Sequence, residues 1–420
     1  MGTAQKSQPA PKAVLSLGDA VFIGTGSMIG AGLFAAFAPA TAAAGPWLFL
    51  SLALAAGIAL CNATSSAQLA AQHPESGGTY LYGRRQLGHL WGYLAGWCFL
   101  VGKTASCAAM ALTFGAYLFP GHEKLLAIIA LWVLTAVNYR GITRTAALTK
   151  ILVTLVLLAL AVFGVALVLG TGPAPVALPS PEPAGSLYGI LQGAGLLFFA
   201  FAGYARIATM GSEVRDPART IPRAINLTLA LITVLYTAVA FALVSQLGYG
   251  ALAVSSAPLA QAVGSAPALS QLMGIAAALA ALGALLALIT GIGRTGYAMA
   301  SHKDLPGLFA RLHPTYAVPH RLELLLASVA TLLILVTDLR GAIGFSSFGV
   351  LLYYLIANIS AYTQSGSHRI YPRWLQLAGA CGCLLVVLTL PAVSLAGGTL
   401  MVTLGLLVYW FYARPRASAL

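Results

Sequence analysis

An apolar segment long enough to cross a bilayer is interrupted by Gly24-Thr25-Gly26-Ser27-Met28-Ile29-Gly30-Ala31-Gly32-Leu33-Phe34, in which four of eleven residues are glycine. Glycine inside a helix costs about 0.5–1 kcal/mol relative to alanine, so a cluster of this density marks a helix that breaks midway. Backbone that leaves the helix at membrane depth must be buried in protein or line a water-filled cavity. The half-helix beyond such a break opens with free N–H groups and the positive end of a dipole, which suit a carboxylate. The chain therefore has to pack other helices around a broken one.

The anomaly occurs twice. Gln192 to Met210 reads QGAGLLFFAFAGYARIATM, with Gly193, Gly195 and Gly203 inside a second apolar segment. Roughly twelve spans of about 20–25 residues fit the length, and the interrupted ones fall first (about 18–44, broken at 26–32) and sixth. Span 2 is expected at about 47–70, followed by a turn-rich loop from Pro74 to Tyr82. Spans 3, 4 and 5 lie at about 90–118, 125–138 and 150–169, with a proline-rich outer loop at 171–185. Spans 7 to 12 lie near 224–247, 269–300, 322–337, 342–362, 374–390 and 396–412. Matching breaks in two halves point to an inverted-repeat secondary transporter with a site at the midplane. The expected fold is an all-α polytopic membrane protein, a 5+5 inverted repeat with discontinuous helices 1 and 6 plus two further helices. Its parts are a tail at 1–17, a first repeat at 18–170, a second at 188–362, the additional pair at 373–412 and a tail at 413–420.

Charge placement supports the same topology. Only 7% of residues are charged, against about 25% in soluble domains. Of 22 Lys and Arg, 16 fall on one side under alternating topology, among them Lys6, Lys12, Arg84, Arg85, Arg140, Arg144, Arg215, Arg219, Arg223, Lys303, Arg369 and Arg416; Lys124 and Arg340 fall on the other. That is the positive-inside pattern with both termini cytoplasmic, so the net charge of +13 reports orientation in a plasma membrane and not nucleic-acid binding. The five cysteines sit in apolar spans without disulfide or zinc spacing. No metal or cofactor motif is present, and the N-terminus lacks a cleavable signal pattern.

GSMIGAGLF in span 1, PESGGTYLYGRR after span 2, FFAFAGYARIATMGSEVRDPARTIPRAI from span 6 and YAMASHKDLP ending span 8 together resemble the amino acid–polyamine–organocation superfamily of permeases, whose bundle is of the LeuT kind. The resemblance implies an amino acid substrate moved by alternating access. It puts the substrate carboxylate on the amides of Ser27, Gly30, Ala31 and Gly32, and the α-amino group on the carbonyls of Met28, Phe199, Ala200 and Ala202. It gives Phe199 the role of closing over the substrate; Phe201 and Gly203 join it as candidate site residues, and the competing reading of either phenylalanine is a lipid-facing or core aromatic. Unwound backbone supplies donors and acceptors for a zwitterion without a buried charge. The competing reading of each glycine is close helix packing.

Ionisable residues within spans are functional candidates: Lys150, Lys103, Arg206 and Arg294. Lys150 heads span 5 and is either an interfacial lysine or, as in similar proton-coupled members of the superfamily, an ammonium in the place of sodium. Arg206 stands next to Ala205, where the family pattern often has an acidic gate. Lys103 adds positive charge to span 3, and a positive cavity repels polyamines and arginine; the competing reading of Lys103 and Arg206 is pairing with backbone carbonyls or vestibule water. The expectation is a neutral amino acid, with acidic ones or other carboxylates as the variant, moved without sodium and with a proton as coupling ion. Arg294 is expected to be an interfacial anchor. Glu213 and Asp216 are expected to pair with Arg215, Arg219 or Arg84, with Asp19 joining them. An enzyme lacks its constellation here, and a channel lacks its polar rings. An exchanger, a polyamine or cationic amino acid carrier and a non-transporting sensor remain as alternatives. Besides substrate and membrane lipids, nothing in the sequence names a partner subunit.

Overall fold

A computed structural model describes residues 15–73, 77–140, 145–170, 186–208, 210, 213–366 and 369–414, with backbone alone at Ala31 and 145–149. Most of the N-terminal tail, Pro74 to Ser76, Arg144, the loop at 171–185 and the C-terminal 415–420 lie outside the described residues. Regular structure in the described residues is helical, apart from one isolated parallel bridge between Leu15 and Val214.

The first span consists of α1 (Leu17–Ala35) and α2 (Phe37–Ala44). Ser16 and Asp19 form a capping box, each accepting from the other's backbone N–H. Within α1 only Gly30 leaves helical geometry, at φ −37° and ψ −142°. The interruption expected over 26–32 is thus concentrated in one residue, with a second discontinuity at Ala36. Gly45, at φ 56°, then turns the chain through Pro46 into α3 (Leu48–Gln72); side chains rarely adopt that conformation. The sixth span also breaks: α8 (Leu187–Phe201) gives way to a 3-10 turn over Ala202–Tyr204 and then to α9 (Ala205–Ala208).

The stretch expected to be a loop after span 2 is instead helical from Thr79 to Gln86 (α4). Gly78, at φ 57°, starts it, and the run TYLYGRRQ contains nothing that stops a helix before Gln86. Tyr80 and Tyr82 are buried at 1% exposure each, so tertiary packing outweighs the local turn signals.

The remaining spans are α5 (His89–Leu118), α6 (Glu123–Tyr139), α7 (Thr145–Val168), α10 (Pro217–Val254), α12 (Pro267–Ser301), α13 (His320–Val336), α14 (Leu339–Thr363), α15 (Arg373–Thr389) and α16 (Ala392–Val408), with a short α11 (Pro258–Gln261) between α10 and α12. Among the described residues nine helical stretches are long and apolar enough to cross a membrane. The helices α6, α13 and α15, each of 17 residues, bring the number to the expected twelve. Burial sorts them: 89% of the apolar window of α5 is inside the protein, against 28% for Ala392–Ala413. The α5 helix is therefore central and α16 peripheral, its apolar surface left for lipid.

Candidate substrate site

The α5 helix places Phe99, Lys103, Ser106 and Met110 on one face, at i, i+4, i+7 and i+11, along a cavity of about 130 Å³. Ala284, Leu288, Gly291 and Thr295 of α12 line it with the same periodicity, and Ser27, Phe199, Ala202 and Gly203 bring the two broken spans to it. An apolar cavity of about 150 Å³ holds benzene, so the space suits a molecule of amino-acid size. Arg206 and Arg294 also line it. The Arg294 side chain is 59% exposed, which puts the mouth at the end of the bundle rich in Lys and Arg. A separate depression of about 390 Å³ lies at the other end, against Pro39, Ala116, Lys124 and Arg340. Between the two, the Tyr117 hydroxyl donates to the Phe34 carbonyl at 2.8 Å and accepts from the Leu259 N–H at 3.3 Å, tying α5 to α1 and α11.

The two breaks touch each other. A Cβ on Gly203 would sit 2.5 Å from the Ser27 carbonyl carbon, and one on Gly32 would sit 2.5 Å from the Ala200 Cα. Both are backbone contacts that no rotamer change relieves. Gly30 lies one layer behind the cavity, facing Ala284 and Met110, which line it.

Six of the expected site residues thus line one cavity: Ser27, Phe199, Ala202, Gly203, Lys103 and Arg206. Others do different work. The Tyr236 hydroxyl of α10 lies 2.5 Å from the Met28 carbonyl and 3.0 Å from the Ala200 carbonyl. The one hydroxyl proton is given to one of these acceptors or shared between them; neither of the two residues, expected to hold a substrate ammonium, is among those lining the cavity. Phe201 packs edge-on against the Tyr236 ring, centroids 5.1 Å apart, and is not among the cavity-lining residues. The Ala202 carbonyl accepts from Lys103 Nζ at 3.3 Å and from the Tyr354 hydroxyl at 3.4 Å. Ala31 falls within α1, and nothing further is assigned to it.

The charged candidates are rearranged as well. Lys150 is not a desolvated lysine: its side chain is 44% exposed and its Nζ meets Asp19 Oδ1 at 2.5 Å. The buried lysine that faces the cavity is Lys103, 6% exposed. Glu213 pairs with Arg294 at 3.2 Å and lies 3.7 Å from Arg206, so Arg294 is part of the cavity mouth and more than an anchor. Asp216 pairs with Arg219 at 3.9 Å, whereas Arg84 pairs with Asp304, not with Glu213 or Asp216.

Sequence reasoning missed that last centre. Asp304, 1% exposed, accepts from Arg84 Nη1 at 2.8 Å, from the Tyr80 hydroxyl at 2.7 Å and from His89 Nε2 at 2.7 Å. The carboxylate has no proton to give, so the short contact assigns the imidazole hydrogen to Nε2. Burial first, and the adjacent carboxylate second, push the Tyr80 hydroxyl above the usual phenol range, which keeps it a donor. Tyr236 was missed too; a lone tyrosine in an apolar span, whose hydroxyl needs a partner, was the available signal.

Helices of spanning length, two breaks that meet, and a cavity between them with a mouth at one end define a membrane permease fold. A family profile described as amino acid permease matches residues 15–413, and the chain belongs to that family. An uncharacterized transporter of Mycobacterium tuberculosis is 52% identical over 94% of this chain and 90% of its own length. A methylthioribose transporter and a branched-chain amino acid permease of Bacillus subtilis are 26% and 23% identical, each over 99% of this chain and 96% of their own. The protein is a transporter of amino acids or related substrates and not an enzyme.

Proposed function

We propose that the chain is a secondary carrier that moves an amino acid or a related small carboxylate across the plasma membrane by alternating access, without sodium and linked to protons. One observation carries this: the cavity of about 130 Å³ lies where the two broken helices cross, with Ser27 from one and Phe199, Ala202 and Gly203 from the other in its wall. Its mouth is at the end rich in Lys and Arg, which the positive-inside rule orients toward the cytoplasm; the conformation is then inward-open, with the Tyr117 clasp closing the outer side. Lys103, Arg206 and Arg294 in the wall disfavour cationic amino acids and polyamines. The Lys150–Asp19 pair joins α7 to α1 and is the candidate coupling element, able to part when α1 moves.

The test is counterflow of labelled amino acids into proteoliposomes, with sodium and with a pH gradient varied independently. Exchange that is indifferent to sodium and driven by an inward proton gradient is the expected result. Binding without counterflow would make the protein a sensor, and strict dependence on sodium would remove the role given to Lys150.

A further inference from the structure

The carrier reading leaves the charge of Lys103 unexplained. Its side chain is 6% exposed and lies in the cavity wall. It forms no ion pair among the described residues, and its hydrogen bond is the 3.3 Å contact to the Ala202 carbonyl. An ammonium has three N–H donors, so two remain for whatever occupies the cavity. The hydroxyls of the wall are already committed: Ser27 Oγ donates to the Ile23 carbonyl at 2.9 Å, Thr295 Oγ1 to the Gly291 carbonyl at 3.3 Å, and Ser106 Oγ bonds Ser346 Oγ at 2.6 Å.

The Ala202 carbonyl stands at the C-terminal end of α8, the negative end of that half-helix. It is the natural seat for a cation in this cavity, and Lys103 fills it. A zwitterion entering here brings an ammonium that meets Lys103 at that carbonyl. The Met28 and Ala200 carbonyls share the single Tyr236 hydroxyl proton and belong to residues that are not among those lining the cavity. An anion brings the one group that Lys103 lacks. Desolvated charges are expensive when unpaired and tolerable when paired with good geometry, so the pairing falls on the ligand.

We infer that Lys103 is the specificity-determining residue of the cavity and that it selects a small organic anion, a carboxylate whose charge is not offset by an ammonium. The inference rests on the carrier reading and narrows its substrate class. Two kinds of molecule share that chemistry: an acidic amino acid, and a monocarboxylate without an amino group.

Counterflow with matched pairs separates them. Glutamate against glutamine tests the first, pyruvate against alanine the second. Wild-type protein is expected to favour the anion at least tenfold in one pair or both, the pair identifying the source. Lys103→Met should bring the ratio close to one, and Lys103→Arg should keep it. Because Lys103→Met removes an uncompensated buried charge, it should melt no lower than the wild type, which separates lost selectivity from lost fold. Preference for the neutral member in both pairs, or an unchanged ratio in Lys103→Met, overturns the inference and leaves the carrier reading standing. No counterflow with any of the four, nor with a mixture of the common amino acids, ends both.

Discussion

Asp304 and Lys103 are both buried charges, and the fold treats them in opposite ways. Asp304 has three charged or polar donors from α4 and α5 within 2.8 Å. Lys103 has one carbonyl at 3.3 Å. A carboxylate held by Arg84, Tyr80 and His89 has nothing left to offer a ligand; it joins the end of α12 to α4 and to the start of α5. Its His89 extends the join to Tyr409 at 3.3 Å, beyond α16. An ammonium with two idle donors beside an open cavity has everything to offer. The difference teaches that burial alone does not mark a functional charge. What marks it is burial together with incomplete pairing and a space in front of it.

The comparison can be broken most sharply at Asp304. Replacing it with alanine leaves Arg84, Tyr80 and His89 without their acceptor, and removing one partner of a buried pair costs about 3–5 kcal/mol. The Asp304→Ala protein should lose most of its thermal stability in detergent, whereas Lys103→Met should lose none. If both variants melted alike, the contrast between the two charges would be wrong.

Next in size is Gly203. Any side chain there meets the Ser27 backbone, so Gly203→Ala must push the two broken spans apart. Overpacking typically costs about 1–3 kcal/mol. Counterflow should fall by more than the loss of folded protein explains, since the same contact forms the cavity wall. A Gly203→Ala protein with full activity would show that the crossing of the breaks is packing alone.

Tyr236→Phe should come third. It removes the one hydroxyl proton that the Met28 and Ala200 carbonyls share, a loss of about 1–3 kcal/mol for a buried polar group left unsatisfied. It also frees for an ammonium the one acceptor position that this proton held. The expected outcome is a less stable carrier that tolerates zwitterions better, read as a fall in the anion-to-neutral counterflow ratio; an unchanged ratio would mean these carbonyls do not face the ligand's path.

Much of this was legible in the sequence because the signals were local. Glycines in apolar segments located both breaks, and the spacing of apolar runs located the spans, including the turn at Gly45. The α5 stripe of Phe99, Lys103, Ser106 and Met110 was also readable as one helical face, but nothing local said what that face looked at. The Asp304 centre was not legible. Its members are separated by up to 224 residues, and a short Tyr-Arg-rich stretch reads as a loop until α5 and α14 bury its tyrosines. The exchange of roles between Lys150 and Lys103 has the same cause: position along a span tells that a lysine is near the membrane, and only packing tells which one is dry.

The Lys150–Asp19 pair is where the smallest effect is expected. With side chains 44% and 23% exposed, it lies between the two extremes, paired like Asp304 but open to solvent. Exposed pairs contribute about 0–1 kcal/mol, and Asp19 keeps its bonds to Ser16 when the lysine is gone. Lys150→Met should therefore leave the melting temperature nearly unchanged. Any effect should appear instead in the response of counterflow to a pH gradient, because a weak pair between α7 and the broken α1 can open and close cheaply. A large stability loss without a change in proton response would make Lys150 a structural clamp and put it with Asp304.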